Sequence, residues 1–539
     1  VTSRLLLEGP ILKDKLSFLF AGRTSYSDWI LNQVNDLDVR NSEAFFYDIT
    51  GKISLRNNEK SKLTATFYAS KDQFQFASDT IFSWENRSLS INHEKIISPK
   101  LSVKTSISAG SYDYEVEDQD ASEAFSWKYK VQNAKLKSFL NYRWNSHELQ
   151  GGIDLTGYEF NRGSVVPIGE SSSISSNELP KERSLVSGLF FTDNIQLSDK
   201  FFLSLGLRAS YFQLFGEYNE FIYNEDFARS DFSIIDTLRT AQGDVAQTYS
   251  GLEPRISAKY TINNTTTLKG GFVRSYQYVH LLSNTTAISP IDSWTPSTPH
   301  LKPQIGLHYS LGLYKTLLSN KVKTSVEVFY KSIDNVPEYI DGAQLALKEN
   351  IETEITNSEA DIRGLEFSVQ KEGRLKTNFS YTYTSSRRRT SSQFLSAQIN
   401  NNEFYPSNFD QPHNVKLNTE YVLSKRHALL FNFNMASGRP VTLPEERFRI
   451  DNNFVGNFSD RNAYRLPLYH RLDVTLLIKS NHKKNKKWEG TWAFTVYNVY
   501  SRNNVYSVFF EPDRFGRPTA YQIAILGAAF PSVTYNFKF

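Results

Sequence analysis

Apolar and polar residues alternate with period two through most of this chain. Phe45, Tyr47, Ile49, Ile53 and Leu55 are set against Asp48, Thr50, Lys52, Ser54 and Arg56. The same parity gathers Leu63, Ala65, Phe67 and Ala69, then Leu101, Val103, Ile107 and Ala109, then Phe201, Leu203, Leu205, Leu207 and Ala209. It continues in Leu365, Phe367 and Val369 and in Leu472, Val474, Leu476 and Ile478, and closes with Val533, Tyr535, Phe537 and Phe539. Successive side chains of a strand point to opposite faces, so each segment carries one apolar and one polar face. Strands of soluble sandwiches and propellers run to about 5–6 residues. Many segments here reach about ten or more, matching the ~9–11 residues a tilted strand needs to cross a bilayer. The pattern predicts an all-β transmembrane antiparallel barrel, apolar face to lipid and polar face to an aqueous lumen.

The connections alternate too. Tight ones fall at 57–60, 98–100, 144–146, 198–200, 263–265, 319–321, 371–374 and 423–425, most holding the Asn, Asp, Gly or Pro that turns favour. Long ones lie near 28–43, 163–183, 215–249, 281–303, 333–357, 387–411, 438–466 and 500–518. Short periplasmic turns and long extracellular loops are the outer-membrane arrangement. About 21 strands are expected in the chain, the last near 519–539, where bacterial barrels have an even number. The first connection, residues 9–15, is tight, so residues 1–9 descend from outside. One strand is therefore expected before Val1, making 22. Leu203, Leu205 and Leu207 should face lipid, with Ser204, Gly206 and Arg208 inward.

Composition narrows the function classes. With no Cys and one Met, the 539 residues exclude disulfide scaffolds, cysteine zinc sites and thiol nucleophiles. A net charge of +4 gives no sign of nucleic-acid binding. Mean hydropathy is −0.45, and no run approaches the ~18 apolar residues of a helical span. Residues 1–8 lack the basic-then-apolar pattern of a secretion signal, so either that signal is cleaved or the sequence begins inside a longer chain.

Several segments resemble one family. Residues 3–11 and 13–18 are similar to the segment that follows the plug and first strand of TonB-dependent outer-membrane transporters of the Bacteroidota type. Residues 465–473 and 497–506 resemble that family's recurrent strand openings near the C-terminus, and 531–539 its final strand with a terminal Phe. The resemblance spans essentially the whole chain and implies a 22-stranded barrel, residues 1–539 being the barrel domain. It also implies a TonB box and plug, neither of which precedes Val1, so the plug and first strand are expected upstream. The implied function is energised import of a scarce nutrient — siderophore, cofactor, oligosaccharide or peptide — through a plugged barrel in the bacterial outer membrane. The alternative is a plugless barrel acting as a structural subunit of an outer-membrane complex. Partners implied are outer-membrane lipid and lipopolysaccharide, TonB through the missing N-terminal segment, the barrel assembly machinery, and a surface lipoprotein or other complex subunits. No enzymatic activity, cofactor or metal is expected.

Candidate chemistry is sparse. Trp294, Tyr276, Tyr278, Phe404 and Tyr405 lie on outer loops or upper strand ends, where aromatic faces suit sugars, chelates and peptides; the alternative is a membrane-interface girdle. Arg387, Arg388 and Arg389 follow a rising strand and read either as a clamp for lipopolysaccharide or another anion or as a solvated run. Residues 483–487, a basic stretch in a periplasmic turn, read as solvated. His280 and His300 bracket one loop and read as a chelated-metal site or as ordinary surface or lumen histidines. Phe539, Phe537 and Tyr535 form the expected assembly signal.

Overall fold

A computed structural model describes residues 2–26, 40, 42–75, 80–120, 122–282, 293–319, 321–345, 347–450, 453–480, 489–512, 518–524 and 527–538. Among the described residues the principal sheet has 23 strands, two of which, Asn177–Glu178 and Tyr405–Pro406, are two-residue additions at strand ends, leaving a wall of 21. Wall strands pair antiparallel with their sequence neighbours from Thr2–Leu12 to Phe530–Lys538. The longest, Phe125–Trp144 and His147–Pro167, run 20 and 21 residues, so they rise beyond the hydrocarbon. Among the described residues the two terminal wall strands are not paired with each other.

Tight and long connections alternate as the sequence leads one to expect. Asn58 and Ser61 close one turn, and Ser98 and Leu101 another. The connection after Phe201–Phe215 opens at the opposite end and contains its own hairpin, Tyr218–Tyr223 with Ile234–Thr240. Further hairpins, Val279–Leu282 with Ser293–Pro296 and Pro444–Ile450 with Asn453–Phe458, decorate the same end.

The last wall strand departs from expectation. It begins at Phe530, not near 519, because Pro518–Ala524 pairs back onto Val505–Pro512 as a loop hairpin. Its wall partner, Glu489–Tyr497, ends at Tyr497 opposite Phe530, so nothing in the wall is left for 519–524 to pair with. Tyr535 and Phe537 are exposed on the outer face, Tyr535 packing on Trp492 with ring centroids 4.5 Å apart. Phe539 and the basic stretch 483–487 lie outside the described residues.

The faces divide as the alternation requires. In Phe201–Phe215, Leu205 and Leu207 are 41% and 47% exposed on the outer face, while Ser210 and Phe212 are 3% and 0% exposed. Inward Ser204 donates to Asn194 Oδ1 at 2.7 Å. Inward Arg208 donates to Asp154 (2.9 Å) and pairs with Glu253. Towards the outer end the inward parity turns apolar. Phe212, Leu214 and Tyr278 form one buried cluster, and Tyr114, Val116 and Tyr129 another. Leu205→Arg should destabilise the barrel by about 2–4 kcal/mol near the midplane, whereas Ser204→Arg should be tolerated. Reversible unfolding of both variants in vesicles checks this, and equal losses would refute the facing.

Candidate functional site

The outer mouth is built by loops that fold inward onto the two apolar clusters. The hairpin strand Ser293–Pro296 carries Trp294, whose backbone N–H donates to the Tyr129 hydroxyl (2.5 Å) while that hydroxyl donates to the Trp294 backbone carbonyl (2.7 Å). The Trp294 ring packs on the Tyr114–Tyr129 cluster. Tyr278 stacks on Phe212 at 5.3 Å and shares a 2.8 Å hydrogen bond with Ser210. Tyr276 stacks in turn on Tyr278 and takes a hydrogen bond from Arg274 at 2.6 Å. These rings are anchors that seat one loop inside the lumen.

Beneath the folded loops lies a cavity of about 360 Å³, lined by charged and aromatic side chains that include Arg162, Lys181, Glu182, Glu217, Tyr218 and Phe221. Its back wall is an ion pair, Arg162 Nε to Glu182 Oε1 at 3.0 Å, with side chains only 8% and 6% exposed. Thr295 donates to the other Glu182 oxygen at 3.0 Å, and Arg162 donates to the Glu349 carbonyl at 2.8 Å. Arg162 and the distant Thr295 therefore meet at the Glu182 carboxylate, and Arg162 carries the link on to Glu349. Tyr223 donates to Glu352 at 3.0 Å and Asn219 to Glu349 at 3.0 Å, closing the sides. Burial, reinforced by the Glu352 carboxylate, pushes the Tyr218 and Tyr223 phenols well above their ordinary range, so both stay neutral donors. Lys348 bridges Glu354 (2.8 Å) and Asp231 (3.4 Å), tying two loops into a roof. A second cavity of about 250 Å³, lined by Arg229, Ser391, Ser392 and Gln393, shares Glu352.

None of the five aromatic candidates lines the larger cavity. Tyr278 and Tyr405 are buried, the first within the Phe212 cluster and the second beside Glu338 and Arg461. Burial and nearby Glu338 raise the Tyr405 phenol. Phe404 is exposed beneath the Arg389 guanidinium, 4.7 Å from the ring. The arginine run does not act as one cluster. Strand alternation turns Arg388 inward, where it donates to Glu338 at 3.0 Å beside Arg461, also at 3.0 Å. Arg387 and Arg389 face outward. His280 and His300 do not converge: His280 is hydrogen-bonded to Ser297 (2.9 Å) and Gln304 (3.1 Å), His300 to the Phe221 carbonyl (2.8 Å). Among the described residues no group of three His, Cys, Asp or Glu side chains is placed to hold a metal ion.

The family described as TonB dependent receptor-like, beta-barrel matches residues 16–499. The chain belongs to the TonB-dependent receptor family. Its membership places the barrel in the bacterial outer membrane, crossed many times. The structure is similar to that of FpvA of Pseudomonas aeruginosa bound to a heterologous pyoverdine, with a TM-score of 0.65 and 12% identity, covering 100% of this chain and 70% of that one. It is also similar to the ferric-catecholate import receptor Fiu of E. coli (TM-score 0.62, 12% identity, 99% of this chain and 79% of that one). The copper transporter OprC gives a TM-score of 0.66 at 12% identity over 99% of this chain and 79% of that one. At these identities the likeness is one of fold. None of the curated proteins matches the chain in sequence.

Arg162, Glu182, Tyr218 and Glu352 were not singled out by sequence reasoning. The available signal was weak: Arg162 is a charge on the inward parity near the top of its strand. In this TonB-dependent receptor barrel, Arg162→Met should destabilise the outer mouth by about 3–5 kcal/mol by leaving Glu182 buried and unpaired, and Arg162→Met with Glu182→Leu should restore most of it. Thermal unfolding of the three proteins in detergent checks this. Burial also lowers the His280 imidazole from 6.5 to about 4. Between those values the undocked loop binds a proton that the docked loop excludes, so docking is fully stabilised above 6.5 and weakens as pH falls toward 4, by about 1.4 kcal/mol per pH unit. Hydrogen exchange of residues 293–298 should accelerate over that window beyond the intrinsic pH trend, and His280→Gln should flatten the excess.

Proposed function

We propose that this barrel belongs to a receptor that imports a scarce, small polar solute across the outer membrane, capturing it in the cavity beneath the folded loops. The observation that carries the reading is that cavity, about 360 Å³, walled by fixed charges and neutral phenols on a TonB-dependent receptor barrel. Pockets of roughly 300–1,000 Å³ suit small ligands. Proteins of similar fold are described as binding ferripyoverdine, importing ferric catecholates and transporting copper, which supports a chelate or ion-sized cargo. Energy comes from TonB acting on a plug within the lumen. The barrel itself breaks no covalent bond.

The test compares solutes depleted from the medium by cells carrying the complete receptor with those depleted by cells lacking TonB. At least one solute should be taken up roughly ten-fold or more faster with TonB present, equivalent to about 1.4 kcal/mol in the governing step. Asn219→Trp, which fills the cavity, should abolish that uptake at unchanged surface level. Solute uptake indifferent to TonB and to Asn219→Trp would favour a scaffold role instead.

A further inference from the structure

On the outer surface of the barrel, three arginines cross the upper ends of two paired strands. In Ile355–Lys371 and Leu375–Thr390 the register sets Arg363 opposite Ser385, Asp361 opposite Arg387 and Glu359 opposite Arg389, with no shift. Leu365 and Tyr383 are paired on the next rung below, and both are exposed on the lipid side. The period of two therefore puts Arg363, Arg387 and Arg389 on the same outer face. Tyr330 lies beside Arg363 and Val328 beside Leu365, again exposed. The arginines sit where the apolar band gives way to tyrosines, the level at which aromatic girdles mark the membrane–water interface.

The charges there are partly committed. Arg363 grips Asp361 in a fork of 2.8 and 3.2 Å, yet its side chain remains 71% exposed. Arg389 pairs with Glu359 and lies over the exposed Phe404 ring at 4.7 Å. Arg387 is exposed and makes no ion pair among the described residues. Two carboxylates thus hold two guanidiniums in place while a third stands free between them. The patch keeps a positive excess and several N–H groups pointing outward.

We infer that this face docks the phosphorylated headgroup of an outer-leaflet glycolipid of the lipid A type, Arg387 making the central contact and Arg363 and Arg389 flanking it. A phosphate monoester brings nearly two negative charges and three acceptor oxygens, and planar guanidiniums bind such groups through paired N–H donors. The acyl chains of the same lipid would lie on Val328, Leu365 and Tyr383. That apolar continuation is what favours a lipid over free phosphate. The patch faces away from the lumen, so a solute passing through the barrel does not meet it.

The experiment uses the whole chain, purified in a non-ionic detergent, with lipid binding read by native mass spectrometry. Bis-phosphorylated lipid A should be retained, and its dephosphorylated form retained roughly ten-fold less, as loss of charge-assisted contacts requires. Arg387→Gln with Arg389→Gln should lower retention of the phosphorylated form by a similar factor while heat-modifiable migration shows a folded barrel. Lys128→Gln with Lys130→Gln, which alters an outward basic pair elsewhere on the wall, should leave retention unchanged. Equal retention of the two lipids, unchanged binding in a folded arginine double variant, or displacement by millimolar inorganic phosphate would each overturn the assignment.

Discussion

The hydrocarbon interior offers the peptide group no hydrogen-bonding partner, and the rest of this molecule follows from that. Each unmet N–H or C=O there costs several kcal/mol, so only self-satisfying ladders cross. Continuous antiparallel pairing from Thr2–Leu12 to Phe530–Lys538 meets the requirement strand by strand. The same requirement falls on the outward edges of those two strands, which are not paired with each other among the described residues. Once pairing is fixed, the pleat fixes everything else about a side chain's surroundings: one parity meets lipid and the other meets the lumen.

Above the membrane that constraint relaxes, and the lumen becomes a place to bury loops. Phe212 and Leu214 occupy inward positions that lower in the strand belong to Ser204 and Arg208. They provide an apolar bed on which Tyr278 stacks. Tyr129 does the same for the hairpin bearing Trp294, through two hydrogen bonds to its backbone. A loop seated this way has its polar atoms met at defined points, so the cavity between the seated loops has a fixed outline.

The wall was legible in the sequence because period two is a local property, visible in a stretch such as residues 201–209 without knowledge of any partner. The order of tight and long connections was legible for the same reason, since turn chemistry sits within three or four residues. The final strand was misplaced because alternation at 519–524 cannot tell a wall strand from a loop hairpin; only the length of the partner ending at Tyr497 decides. The cavity was not legible at all. Arg162, Glu182, Thr295 and Glu349 are brought together by strand register and the inward folding of three separate connections. No spacing within the chain announces such a meeting. The aromatic candidates show a different limit: an aromatic residue near a strand top reads the same whether its ring is open to a solute, as Phe404 is, or buried, as Tyr278 and Tyr405 are.

Residues 387–389 show how sharply one strand divides its surroundings. Arg388 shares Glu338 with Arg461, all three largely removed from solvent. Desolvating such groups costs several kcal/mol per ion, and their mutual attraction recovers that only when the geometry is good. The net stabilisation is accordingly small. What the triad supplies is a single arrangement, because Arg461 also binds Tyr339 and Asp341 while its backbone is held by Asn400 at 2.8 and 3.0 Å. Loops from three connections are thereby fixed relative to one another. One residue to either side, Arg387 and Arg389 lie in water at the rim of the bilayer, where exposed pairs contribute about 0–1 kcal/mol and fields fade within roughly 8 Å at physiological salt. Charge there does little for the fold and is free to meet an external anion. Three identical side chains in succession are thus divided between the loops of the lumen mouth and the outer face of the wall by the pleat.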